Sequence, residues 1–287
     1  MRTIKHAPLT LRHRLGAPKM MAALAALAAC LVFAPPATAH DTWFQTLAPT
    51  PSGQLVFAIA TGNRFPVFEF PIAYQYLVGS GCRGPGGTLA PLAHVEDRPG
   101  ALILRSPRPL DARVGIACWA QLKPFDVEVP QDKVELYLSE IQASPALRAT
   151  WAAMKSRGLP WRERYTKSVR TELAGSGLRG ALPLQMDVRL DNPRTPIRSG
   201  DELVFQVLLR GQPVADLPVE FVNHLNPLGL WRKTDAEGRV RIALPLAARW
   251  LARAVDLRVS PKNADEWESD FVTLAFDVGP REAAAAR

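Results

Sequence analysis

The sequence predicts a mainly β protein: two antiparallel β-sandwich domains, the second Ig-like or transthyretin-like, joined by a short helical connector. Three observations carry that fold class. From Trp43 to Val129 the chain is a set of short apolar runs broken by Gly and Pro; at Pro130 the apolar spacing turns helical; from Leu184 to Val278 short β-prone runs resume, parted by turn residues. The expected segments are a leader at 1–39, an N-terminal β domain at 40–129, the helical connector at 130–180, the C-terminal sandwich at 181–279 and a disordered tail at 280–287.

In the first β segment, strands are expected at 55–60, 72–78, 101–104, 114–122 and 125–129. Thr61-Gly62-Asn63, Gly79-Ser80-Gly81 and Gly84-Pro85-Gly86-Gly87 supply the turns. Beyond Pro130, Asp132 and Glu135 have capping-box spacing, and Val134, Tyr137, Leu138 and Ile141 line one helical face. Ser144 before Pro145 marks the start of a second helix, with Leu147, Trp151 and Met154 along one side as far as Gly158. Trp161, Tyr165 and Val169 continue at i+4 spacing, yet 165–173 also alternates, so periodicity leaves helix and strand both open there.

After Gly175-Ser176-Gly177, strands are expected at 184–190, 203–209, 218–222, 230–233, 240–244, 250–259 and 271–278, the count of an Ig-like sandwich. Arg210-Gly211-Gln212-Pro213 and Asp235-Ala236-Glu237-Gly238 are its clearest turns. Trp231 and Trp250 are expected to fill its core.

Residues 1–39 read as a secretory signal peptide. Arg2, Lys5, Arg12, Arg14 and Lys19 precede an apolar run at 20–34, and Ala37-Thr38-Ala39 is an A-x-A cleavage site. Cleavage after Ala39 would make His40 the first residue of a periplasmic chain. Leu27-Ala28-Ala29-Cys30 also fits a lipoprotein signal, in which Cys30 would be lipidated and His40 would have no free amine. No later run approaches the roughly 20 residues of a membrane span. Cys82 and Cys118 then remain as the cysteines of the exported chain, and an oxidising compartment favours a disulfide between them, worth about 4 kcal/mol in the chain-entropy model. A thiolate metal site is the alternative, but no His or further Cys lies close to either. Much of the excess of 35 Lys+Arg over 27 Asp+Glu sits in the leader, and the remaining Arg residues are scattered, so charge points to no nucleic-acid partner.

An N-terminal histidine carries an imidazole and an α-amine on one residue, which together can chelate a transition ion. Asp41 adds an adjacent carboxylate, and His94 and His224 are the other histidines beyond the leader. Such nitrogens suit Ni, Co, Cu or Zn. The amine, with an unperturbed pKa of about 7.7–8.0, couples binding to proton release. The plainer alternatives are a solvated His40 leading into a first strand on which Trp43 and Phe44 pack, a loop histidine at His94, and a strand-end histidine at His224. There is no H-E-x-x-H, G-x-S-x-G, phosphate-cradling glycine loop or C-x-x-C, so a hydrolase, nucleotide enzyme or thiol oxidoreductase has no support and the chain is not read as an enzyme. Arg162, Arg164, Tyr165 and Lys167 form the densest aromatic–basic cluster, either an anion site or a solvated face.

His40-Asp41-Thr42-Trp43 directly after a signal peptide resembles the start of the periplasmic proteins grouped as domain-of-unknown-function family 4198, associated with nickel and cobalt uptake. Gly62-Asn63-Arg64-Phe65-Pro66 is similar to that family's glycine-to-Phe-Pro turn, and Arg164-Tyr165-Thr166-Lys167 to its mid-chain Tyr/Lys segment. Asn192-Pro193, Ser199-Gly200-Asp201-Glu202-Leu203, Gly211-Gln212-Pro213-Val214, Thr234-Asp235-Ala236-Glu237-Gly238 and Arg249-Trp250 resemble the turns of its Ig-like domain. The resemblance implies a periplasmic accessory protein that delivers or senses a transition metal, with His40 as a ligand and an inner-membrane metal transporter or another envelope protein as partner. Two other hypotheses stand beside it: a metal-free envelope scaffold, and a copper histidine-brace enzyme in which His40 joins His94 or His224.

Overall fold

The computed structural model describes residues 40–281 apart from 85, 88, 175–180, 193–195 and 227. The leader with Cys30 and Ala39, the Gly175-Ser176-Gly177 segment and residues 282–287 of the tail lie outside it. In chain order the first half holds strands β1 (Asp41–Leu47), β2 (Val56–Gly62), β3 (Leu77–Arg83), β4 (Leu89–Pro91), β5 (Ala93–Arg98), β6 (Ala101–Arg105), β7 (Ile116–Leu122) and β8 (Phe125–Val129). Helices α1 (Gln131–Glu140) and α2 (Pro145–Ser156) follow, then strand β9 (Trp161–Leu173). The second half holds β10 (Met186–Leu190), β11 (Glu202–Leu209), β12 (Gln212–Pro213), β13 (Pro218–Asn223), β14 (Leu230–Lys233), β15 (Arg239–Ala243), β16 (Ala248–Val259) and β17 (Trp267–Val278).

The expected mainly β architecture is present, with its two helices between two sandwiches. What the sequence did not reveal is that the sandwiches share a sheet. Strands β14-β13-β16-β17-β9-β7-β3-β4 run side by side with β8 added against β9; β1-β2-β6-β5 form a second sheet, and β10, β11, β12 and β15 a third. The seam is β9 beside β17, a parallel pair in an otherwise antiparallel sheet. Register decides how the smaller sheets sit. Val169 lies beside Thr273 and Arg170 beside Leu274. Val169 belongs to the core formed with Phe44, Phe57, Ile59 and Leu104, whereas Leu274 belongs to the core of Val188, Phe205, Val240 and Trp250. Successive residues of a strand point to opposite faces, so the two smaller sheets cover opposite faces of the shared one.

Within the segment expected as a helical connector at 130–180, β9 resolves as strand the stretch that periodicity left open between helix and strand. Its i+4 aromatic spacing was an accident of a strand whose alternate residues meet different layers: Trp161, Glu163, Tyr165, Lys167 and Val169 on one face, Ser168, Arg170 and Glu172 on the other. On the second face Arg170 is fully buried and bonds both Glu172 (2.7 Å) and Asp187 of β10 (2.9 Å). The helices lie on the first face, where Tyr137 Oη donates to Glu163 Oε1 (2.9 Å) and Trp151 meets Trp161 edge-on. Val134, Tyr137, Leu138 and Ile141 are buried as their spacing predicted, and Ser144 Oγ accepts from Leu147 N (3.3 Å), as expected of a cap. The capping box at Asp132 is not formed. Pro130 is the N-cap, without a side-chain bond; Asp132 sits in the first turn beside Lys133, and Glu135 turns to Arg148 (3.3 Å).

Other boundaries also move. The strand expected at 72–78 starts at Leu77 and runs through Gly79-Ser80-Gly81, read from sequence as a turn. The glycines are there for close approach: a Cβ at Gly81 would fall 2.9 Å from Ala90 O and 3.1 Å from Trp119 Nε1, and one at Gly79 would fall 3.2 Å from Trp119 Cη2. Strands β4 and β5 were not anticipated, whereas β1 is the first strand of the plainer reading of the terminus, with Trp43 and Phe44 buried on it. Cys82 stands opposite Cys118 across β3 and β7, and the two are joined by the expected disulfide. At the tail, Pro280 O accepts from Arg198 Nη1 (3.1 Å) and Arg281 N donates to Ser199 Oγ (3.3 Å), so the chain is still held two residues into the segment read as disordered.

Candidate functional site

Sheet β1-β2-β6-β5 covers one end of the first face of the shared sheet and the helices cover the other. Between them a cleft remains. Its floor follows from register: Lys167, Phe271 and Val255 form one cross-strand row, and Thr273, Arg253, Glu220 and Trp231 the next. The start of β1 forms one wall and the end of α1, Glu140 and Ile141, the other. A cavity of about 260 Å³ opens here, lined by Asp41, Asn63, Glu140, Trp231, Arg253 and Phe271 among others.

His40, expected to open the exported chain, is half-buried in this wall. Its carbonyl accepts from Lys167 Nζ (2.5 Å), and its ring lies 4.4 Å from that of Phe70. One residue on, Asp41 pairs with Arg253 Nη1, whose Nε donates to Glu220 Oε2 (2.6 Å); Thr42 O accepts from Thr273 Oγ1 (2.5 Å). The first three residues of the described chain are thus bonded to three neighbouring strands. Desolvation, with Lys167 adding to it, lowers the pKa of His40 and favours its neutral imidazole. Burial pulls Lys167 down to about 8, with Asp41 opposing. The Lys167 ammonium group lies 5.5 Å from the Tyr165 ring centre and 5.6 Å from that of Phe271, two cation–π contacts that partly replace lost water. Burial also raises the pKa of Glu220, against the pull of Arg253.

The candidate residues do not gather at one point. His94 is on exposed β5, not in a loop, stacked on Tyr74 at 4.5 Å and bonded to Asp97 (3.0 Å). In the order β1-β2-β6-β5 it is three strands from β1, roughly 14 Å at the usual spacing. His224 follows β13, where its Nδ1 accepts from Arg249 N (3.1 Å); it is four residues beyond Glu220, roughly 13 Å along an extended strand. Among the described residues no three His, Cys, Asp or Glu side chains group as a metal site.

The aromatic–basic cluster divides by strand parity. Arg162 and Arg164 face outward toward Glu128 and Asp126, while Tyr165 and Lys167 face the cleft. Trp250 is in the core as expected, but Trp231 is not: it is half-exposed at the cleft. Arg253, Glu220 and Phe271 escaped sequence reading because nothing in their local spacing marks them; they meet β1 from about two hundred residues away. Among the described residues no helix is long and apolar enough to cross a membrane.

A search of curated proteins gives no match. Among solved structures the chain overlaps a two-domain fibronectin type III segment of chicken tenascin at 9% identity, covering 83% of this chain and 99% of that one with a TM-score of 0.24. It also overlaps domains A168–A170 of titin at 8% identity, covering 84% of this chain and 61% of that one with a TM-score of 0.18. Scores this low carry no weight, and the Ig-like character rests on the strand order above. Residues 180–256 match the family model described as Domain of unknown function (DUF4198), so the family resemblance read from the turns of the second β domain is borne out over that segment.

Proposed function

We propose that this is an exported envelope protein that binds a transition ion through His40 as first residue of the mature chain, as an accessory to nickel or cobalt uptake. The observation in its favour is the anchoring of residue 40. A solvated terminus leading loosely into a strand would leave imidazole and amine to wander; here Lys167 holds the carbonyl and the Asp41–Arg253 pair holds the next residue. Such fixing reduces the entropy lost when an ion is gripped. The lowered pKa of His40 works in the same direction, since a ligating imidazole must be neutral.

The donor set fits in part. His40 supplies two nitrogens suited to Ni, Co or Cu. Asp41 is engaged by Arg253, and His94 and His224 bond to Asp97 and Arg249 on other strands, so the positions of these residues favour the His40 reading over a copper brace. The test compares exported chain starting at His40 with chain carrying one added residue before it, by intact mass and by titration with Ni²⁺, Co²⁺ and Cu²⁺. One ion per chain is expected for the first and none for the second; equal binding, or a different first residue, overturns the reading.

A metal-free envelope module is the second reading. It is favoured by Leu225 and Leu228, which are 61% and 74% exposed in the loop after β13 of the Ig-like domain and offer apolar contact to a partner.

A further inference from the structure

The cavity of about 260 Å³ in the cleft is lined by side chains of two kinds. Ile141, Pro218, Val255, Phe271 and Trp231 give it largely apolar walls, and its volume lies near the roughly 300 Å³ at which small-molecule pockets begin. Trp231 is the telling one of these. β14 carries its ring onto the first face of the sheet, where it stays half-exposed at the cavity although Trp250 of the same domain is packed in the sandwich core. An aromatic face kept at a cavity attracts positive charge through the ring quadrupole.

The polar groups around it have the complementary sign. Asp41 and Glu140 stand on opposite walls, Glu220 reaches Arg253 from β13, and Asn63 Nδ2 donates to Glu69 (2.8 Å). Against these carboxylates stand Arg253, bonded to both Asp41 and Glu220, and Lys167, whose ammonium group is turned to His40 O and the rings of Tyr165 and Phe271. Burial raises the pKa of Glu220 most, and the charges of Asp41 and Glu140 raise it further, so the carboxylates act on one another across the cavity. Glu140 is also the last residue of α1, whose final turn has no basic residue, and the negative end of the helix dipole adds to its charge. Glycine at 229 belongs to the same arrangement, since a Cβ there would overlap the Glu220 carboxylate opposite Trp231.

These charges disfavour an anion, which would have to displace Asp41 or Glu220 from Arg253. A primary amine would bring three N–H donors to walls that are mostly apolar, and each would need a partner. A quaternary ammonium group has no donor to satisfy and packs its methyl groups on aromatic rings. We propose that the cavity binds a quaternary ammonium group, seated against Trp231 with Glu140 as its counter-charge. The inference goes beyond the His40 reading and does not rest on it: the His40 ring lies against Phe70, and the cavity is lined without it.

The test is calorimetric titration of the exported chain with choline, with its uncharged carbon isostere 3,3-dimethyl-1-butanol, and with benzoate. One choline per chain is expected, bound about tenfold more tightly than either of the others, the scale of a cation–π contact shielded from water. Equal binding of the isostere would make the cavity merely apolar, tighter binding of benzoate would make it an anion site, and no binding of choline would deny it this ligand; each overturns the proposal. Trp231→Ala and Glu140→Gln should each weaken choline binding about fivefold. If both variants bind choline as the unsubstituted chain does, the cation sits elsewhere and the assignment to this cavity falls. Should Trp231→Ala fail to fold, Glu140→Gln and the comparison of ligands still decide the question. Where choline binds, its displacement by phosphatidylcholine vesicles would identify a lipid headgroup as the source of the group, and undiminished binding a free solute.

Discussion

Glu163 is buried where α1 meets the shared sheet, and all its partners are neutral: Tyr137 Oη (2.9 Å), Trp161 Nε1 (2.8 Å) and the Ser269 hydroxyl. Burial raises its pKa above 4.5, and the three donors only partly offset this. The consequence for stability has a definite sign. Between 4.5 and the raised folded value, the native chain holds a proton that the unfolded chain has released, so stability falls as pH rises through that window. Glu163→Gln keeps the shape and removes the titration. Melting curves from pH 4 to 8 should therefore show the native protein losing ground to the variant as pH rises; parallel profiles would contradict this account. Lys167 shows the same physics with the opposite charge, its pKa pulled to about 8 by burial, yet sequence spacing marked it only as part of a basic cluster.

At the scale of elements, local signals served where local forces decide the outcome. The start of α2 was legible because a serine before Pro145 satisfies a free backbone N–H without help from the rest of the fold. Ser144→Ala is expected to cost about 1 kcal/mol, lowering the melting temperature by roughly 2–4 °C for a chain of this size, and a thermal melt measures it directly. β9 was not legible because its residues satisfy both periods: Trp161, Tyr165 and Val169 are four apart, but they also fall on one face of a strand. Pairing with β7, β8 and β17 settles the matter. β3 was displaced for a related reason. Gly79 and Gly81 look like a turn until Trp119 is seen lying across them, and no reading of 72–83 alone could supply a tryptophan from β7.

Across the whole molecule, the continuous sheet couples regions that composition alone divides into separate domains. Arg170 is the plainest mark of this coupling, fully buried between the shared sheet and β10 with Glu172 and Asp187 as its counter-charges. Arg170→Met would strand two carboxylates in the interior, and a loss of about 3–5 kcal/mol is expected by urea unfolding. Replacing all three by apolar residues of similar volume should recover most of that loss, since the cost comes from charges left without a partner. If Arg170→Met alone proved neutral, the network would not be the tie between layers described here. The chain's own sequence determined its strand-rich composition, its helical hairpin, the turns of the second domain and the cysteine pair, because each depends on neighbours within a few residues or on the count of residue types. Only tertiary structure decided that one sheet serves both sandwiches, that Tyr165 and Lys167 look into the cleft while Arg162 and Arg164 look out, and that Arg253 meets Asp41. Those outcomes depend on register between strands far apart in sequence, and a shift of one residue would have turned every one of these side chains to the opposite face.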